Sequence, residues 1–172
     1  SLHPGISQKL FPIMSSEKPK LLIIDGHAMA FRAHYALIAG NLTNSKNEPV
    51  ETVFGFYRMT SKLIRDLKPD YLAIVFDPKG GSFRNKIYTG YKANRKEAPA
   101  ELVLQFTELF EIAGKLKIPV FTIDNYEADD VIASISRKFA SENIDILIVS
   151  GDKDLFGILN QNTFLYRPVK GV

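Results

Sequence analysis

Apolar positions along this chain fall into short unbroken runs that alternate with stretches of helical spacing. Leu21-Leu22-Ile23-Ile24 closes on Asp25 and predicts a buried strand. A helical stretch then runs to about residue 39, and the turn-forming residues of 41–49 predict a loop. Val53, Phe56, Tyr57, Leu63 and Ile64 recur at helical spacing across 52–67, and Pro69 marks the end of that helix. Residues 71–76 form a second apolar run, stopped by Asp77-Pro78. Beyond residue 98, Pro99 opens a predicted helix whose core face is Leu102, Phe106, Leu109, Ala113 and Leu116. A strand over 119–123, a helix over 127–139 with Val131, Ile132 and Ile135 inward, and a strand over 144–149 follow. A short helix over 153–159 and a strand over 163–166 complete the pattern.

Strands that are apolar throughout and alternate with helices predict an α/β domain. Its twisted sheet is mainly parallel, helices cover both faces, and crossovers are right-handed. Sheet order is not readable from this pattern. Residues 1–19 lack periodicity and read as a leader, disordered or expression-derived, with a native start possible at Met14. Residues 20–172 read as one domain.

Composition narrows the chemistry. Hydrophobic residues make up 45% and charged residues 24%, ordinary for a globular protein. No apolar run approaches the roughly 20 residues of a membrane span. The absence of cysteine excludes disulfides and thiolate metal sites. Net charge is only +3, but it is unevenly spread. Six of the 22 lysines and arginines, and no acid, lie in 79–96, so the remainder carries 16 basic against 19 acidic residues. A basic segment facing an acidic excess is the pattern of a nucleic-acid binder that also holds metal; a solvated loop gives the same counts.

The acids mark strand ends. Asp25 ends the first strand and Asp77 follows the second. Glu127, Asp129 and Asp130 open the helix after the third, while Asp152 and Asp154 follow the fourth. Parallel strands bring all seven to the carboxyl rim, where sites form in open α/β sheets. Each alone has a structural explanation as a turn former, an N-cap or a first-turn acid. Together they repel one another and raise one another's pKa, a cost that cations relieve. An oxygen-only donor set selects hard ions such as Mg2+ or Mn2+, and a pair of these can hydrolyse a phosphodiester. Glu127 and Asp130, at i and i+3, share a helix face; Asp129 points about 200° from Glu127 and ranks below them.

Within the basic segment Tyr91 and Arg95 lie at i, i+4 with Lys92 alongside, suited to base stacking and phosphate contact, and Arg84 lies upstream. Arg32, on the helix after Asp25, is a further candidate phosphate contact or a plain surface arginine. His27 reads as a partly buried helix-start histidine rather than a metal ligand, and Phe31 and Tyr35 as core.

In order, the chain contains LLIIDGHAMAFRAHYAL, LTNSKNEP, VFDPKGGSFRNKIYTGYKANR, YEADDVIASIS and VSGDKDLFGIL. This series resembles the amino-terminal 5′→3′ exonuclease domain of bacterial DNA polymerase I, within the wider flap endonuclease family and its PIN-like fold. The resemblance covers residues 20–166. It implies a structure-selective nuclease of replication and repair, working on 5′ ends and flaps of DNA and on RNA primers paired with DNA. It implies two Mg2+ or Mn2+ sites held by Asp25, Asp77, Glu127, Asp129, Asp130, Asp152 and Asp154. Catalytic roles are implied for Asp25, Asp77, Glu127, Asp130, Asp152, Lys92 and Arg95, and nucleic-acid contacts for Arg32, Arg84, Tyr91, Lys92 and Arg95. The basic segment matches the family's arch. A cytoplasmic monomer is the matching expectation. The family pattern continues past residue 172 with two more aspartates and a helix-turn-helix-type element, so the expected second metal site is incomplete. The alternatives are a stand-alone 5′ nuclease of the family and a binding module with an incomplete metal site. A PIN-type ribonuclease is disfavoured by the long basic insertion.

Overall fold

The computed structural model describes residues 18–79, 98–140 and 143–167. Five parallel strands form one sheet in the order β3-β2-β1-β4-β5: β1 Lys20–Asp25, β2 Tyr71–Val75, β3 Val120–Phe121, β4 Asp145–Val149 and β5 Thr163–Tyr166. Helices α1 Gly26–Leu37 and α2 Glu51–Leu67 join β1 to β2. Helix α3, Ala100–Lys115, precedes β3, and α4, Ala128–Phe139, carries the chain from the β3 edge across to β4. A 3-10 segment, Lys153–Ile158, precedes β5.

Period-two alternation explains why both sheet faces are covered. On one face Leu22, Ile24, Leu147 and Val149 pack with residues of α1, α2 and α3, including Met29, Phe56 and Leu102. On the other, Leu21, Ile23, Ile146 and Ile148 pack with Val131 and Ile132 of α4. Strand order reverses between β1 and β4: the chain winds outward from β1 through β2 to β3, then returns to β1's other side. That reversal opens a crevice at the carboxyl ends of β1 and β4.

Two glycines permit close approaches. A Cβ on Gly26 would stand 2.5 Å from the Phe76 ring, where β1 turns into α1. One on Gly55 would stand 2.9 Å from Ala33 Cβ, so the glycine lets α2 lie against α1. A buried polar network fastens the same helices to α3. Gln105 Oε1 accepts from the Thr52 and Val53 amides at 2.9 and 3.2 Å, and its amide nitrogen donates to Glu51. His34 Nδ1 lies 3.0 Å from the same Glu51 oxygen.

Three expectations need correction. The strand anticipated over 119–123 shrinks to the two residues of β3, because it is an edge paired only with β2. Leu116, assigned to the core face of α3, is 58% exposed, because it lies past the helix end as its C-cap. Tyr35 is 63% exposed rather than core. Phe31 is half-buried and packs against the core, as expected, while also bordering the crevice. Residues 1–17 of the expected 1–19 leader and most of the basic segment, including Arg84, Tyr91, Lys92 and Arg95, lie outside the described residues.

Candidate metal centre

Asp25 ends β1 and caps α1. Its Oδ1 accepts the Ala28 amide at 3.1 Å, and its Oδ2 accepts the Ser150 hydroxyl at 2.8 Å. Ser150 also accepts the Asp152 amide at 3.1 Å. One buried hydroxyl therefore ties the end of β1 to the loop after β4, across the point where strand order reverses. Burial pushes the Asp25 carboxyl above its ordinary 3.8; the Ser150 and Ala28 hydrogen bonds pull it back, and nearby Asp77 pushes it up again.

Asp77 is held from two sides. Its Oδ1 accepts the amide of Ala128, the first residue of α4, at 2.7 Å, and its own amide donates to His27 Nδ1 at 3.1 Å. Accepting that hydrogen bond occupies the His27 Nδ1 lone pair and assigns the ring the Nε2–H tautomer. The His27 ring packs on Phe76 and Phe106, with centroids 5.3 and 5.0 Å away.

Glu127 is buried and caps α4. Asp130 returns to it: a carboxylate oxygen accepts the Glu127 amide at 3.3 Å, one arm of a capping box. Asp129 lines the crevice, whereas Asp130 is not among its lining residues. The structure thus sets Asp129 at the crevice and Asp130 at the helix cap. A regular 100° step does not apply from Glu127, whose backbone is extended (φ −73°, ψ 157°), because it precedes the first helical residue.

The result is a cleft of about 230 Å3 walled by Asp25, Asp77, Glu127, Asp129 and Asp152, with Phe31 on one side. Asp154 joins at the mouth: Asp129, Asp152 and Asp154 each offer a carboxylate oxygen, and these oxygens lie within 4.8 Å of one another. The Asp154 amide donates to Asp152 Oδ1 at 2.9 Å, which fixes that lip. Six of the seven rim acids therefore gather around one opening, and hard oxygen donors so placed fit a hard divalent cation. Ser150 escaped the sequence reading, since a serine after a strand carries no signal of its two bonds. Arg32 lies beside this cleft, lining a neighbouring one with Lys153 and Arg167.

Residues 20–172 match the family described as the 5′-3′ exonuclease, N-terminal resolvase-like domain. The chain belongs to that family. The exonuclease-domain chain is 39% identical to DNA polymerase I of Chloroflexus aurantiacus over 144 residues, covering 84% of this chain and 15% of that protein. It is 38% identical to a 5′-3′ exonuclease of Aquifex aeolicus over 149 residues, 87% of this chain and 51% of the relative. It thus spans only part of the length of the relatives it matches. The fold also matches the bacteriophage T5 flap endonuclease solved as a pseudo-enzyme–product complex with DNA and metal ions. That match has a TM-score of 0.62 at 24% identity and covers 86% of this chain and 54% of the other. Among the described residues no helix is long and apolar enough to cross a membrane.

Proposed function

We propose that this domain hydrolyses phosphodiester bonds at 5′ ends and flaps of DNA, using divalent metal ions held by the rim carboxylates. The observation that carries the proposal is the convergence of five carboxylates on one cleft at the switch point of the sheet. Family membership and the DNA and metal in the bacteriophage relative's complex support it.

Asp25, Asp77 and Glu127 form the inner wall, and Asp129, Asp152 and Asp154 the lip. Between them these residues would hold the ions, which the donor chemistry matches to Mg2+ or Mn2+. When bound, such ions supply a nucleophile from water at neutral pH and neutralise charge on the departing oxygen. The protein's own contribution is orientation. Ser150 aims Asp25, the α4 amide at Ala128 aims Asp77, and the Asp154 amide aims Asp152. Asp130 supports Glu127 as a cap. Phosphate contacts are assigned to Arg32, Arg84, Lys92 and Arg95, and base stacking to Tyr91. DNA flaps and RNA primers paired with DNA are the substrate classes, within a longer polypeptide such as DNA polymerase I.

The test is cleavage of an end-labelled 5′-flap duplex in Mn2+, Mg2+ or EDTA, alongside calorimetric titration of Mn2+. Metal-dependent release of the flap is expected. Asp152→Asn is expected to lower both cleavage and Mn2+ affinity at least tenfold, with an unchanged circular dichroism spectrum. Wild-type Mn2+ affinity in that variant would remove the site from the mechanism.

A further inference from the structure

A second cleft, of opposite charge, lies against the carboxylate cleft. It encloses about 350 Å3 and has three cationic side chains in its lining and no acid. Arg32 comes from α1, Lys153 from the start of the 3-10 segment, and Arg167 from the residue after β5. All three therefore project near the carboxyl rim, though they are far apart in sequence. The Arg167 guanidinium lies over the Phe156 ring, 4.8 Å from its centroid, and donates to the Gly151 carbonyl at 3.4 Å. Those two contacts hold its fork beside the cleft.

Ala28 and Gly151 line both clefts, so the two share a wall. Gly151 narrows that wall to backbone: a Cβ placed there would meet nothing within 4 Å, which means this backbone borders open space. The charge arrangement has a direct consequence. A polyanion approaching five carboxylates is repelled by them, and the three cations of the adjoining cleft offset that repulsion.

We infer that this cleft seats an internal backbone phosphate of the substrate strand, beside the phosphate being cut, with Lys153 and Arg167 joining Arg32 as its contacts. The inference rests on the nuclease reading and extends it: the strand crosses the Gly151 wall from the acidic cleft into the basic one. Along the rim, this places the phosphate seat on the β4–β5 side of Asp25. Lys153, between Asp152 and Asp154, adds charge where the two clefts meet.

The experiment measures binding of fluorescent single-stranded oligonucleotides to the whole chain in EDTA across a salt series. Cleavage does not interfere there. Arg32→Ala and Arg167→Ala are each expected to reduce the slope of log affinity against log salt by roughly 0.7, the value for one single-strand phosphate contact. Arg167→Lys is expected to keep the wild-type slope, which separates lost charge from lost folding. Wild-type slopes in both alanine variants would overturn the inference. Oligonucleotides with a 5′-hydroxyl and with a 5′-phosphate are expected to show equal losses. Losses confined to the phosphorylated set would assign the cleft to a terminal phosphate and overturn the backbone assignment. The outcome is separable from the nuclease reading. A chain that cleaves flaps while Arg167→Ala keeps its slope defeats only the inference. A chain that shows the slope change without metal-dependent cleavage defeats only the nuclease reading.

Discussion

Asp25 shows how one side chain carries both a cost and a function. Its carboxyl is 7% exposed, and burial raises its pKa above 3.8 despite two hydrogen bonds. A raised folded-state pKa means that the unfolded chain surrenders this proton first. The contribution to stability is therefore full below pH 3.8 and is lost as pH rises through the folded value. In metal-free buffer, Asp25→Asn is expected to stabilise the domain at pH 7 by roughly 2–4 °C in Tm, the shift that about 1 kcal/mol makes at this size. The gain should vanish near pH 4. Asn can still accept the Ala28 amide and can donate to Ser150, so the packing is retained. Thermal melts from pH 4 to 8 in EDTA check this, and a wild-type Tm at pH 7 would contradict it. Such acids were legible because each sits where an apolar run stops. Their partners were not: nothing in the spacing distinguishes Ser150 from any serine after a strand. The directions of Asp129 and Asp130 relative to Glu127 were not legible, because the backbone at Glu127 is extended rather than helical.

At the level of elements, periodicity located every helix and strand found among the described residues, since burial against the sheet imposes the period directly. What it misjudged were edges and ends. An edge strand such as β3 pairs on one side only, so two residues suffice and its flanks need not be strand. Helix α2 ends at Lys68 in a left-handed conformation (φ 47°), whose amide bonds back to Ile64 without the glycine that usually signals it. Contacts between elements were equally hidden. The Tyr57 hydroxyl donates to the Leu109 carbonyl at 2.6 Å, joining α2 to α3, and burial pushes its pKa up to about 12. Tyr57→Phe is expected to cost about 0.5–1.5 kcal/mol in urea denaturation at pH 7. Because the folded pKa is raised, the wild-type contribution is present below pH 10 and is lost as pH rises toward about 12. The gap between the two proteins should narrow across that window. A gap that stays constant to pH 12 would show that the hydroxyl is not held as described.

For the whole molecule, sheet order decides what the rim acids can do, and order is the property that apolar patterning leaves open. Any parallel arrangement would put strand-end carboxylates on one edge. Only with β1 between β2 and β4 do Asp25, Asp77 and Asp152 wall one cleft. The same order distributes the positive charge. Arg32, Lys153 and Arg167 line one cleft on the β4–β5 side of Asp25. If the 79–96 segment supplies phosphate contacts of its own, its loss and the loss of Arg167 should be independent. Lys92→Ala with Arg95→Ala removes two of its six positive charges and is expected to reduce the salt slope of single-strand binding by about 1.4. Adding Arg167→Ala should reduce it by a further 0.7 or so if the two groups grip separate phosphates, since independent contacts add. Asp152→Asn should leave the slope no lower than wild type, since it removes a negative charge. Salt titrations of the four proteins in EDTA distinguish the cases. A triple variant no different from the double would place both basic groups on the same phosphates.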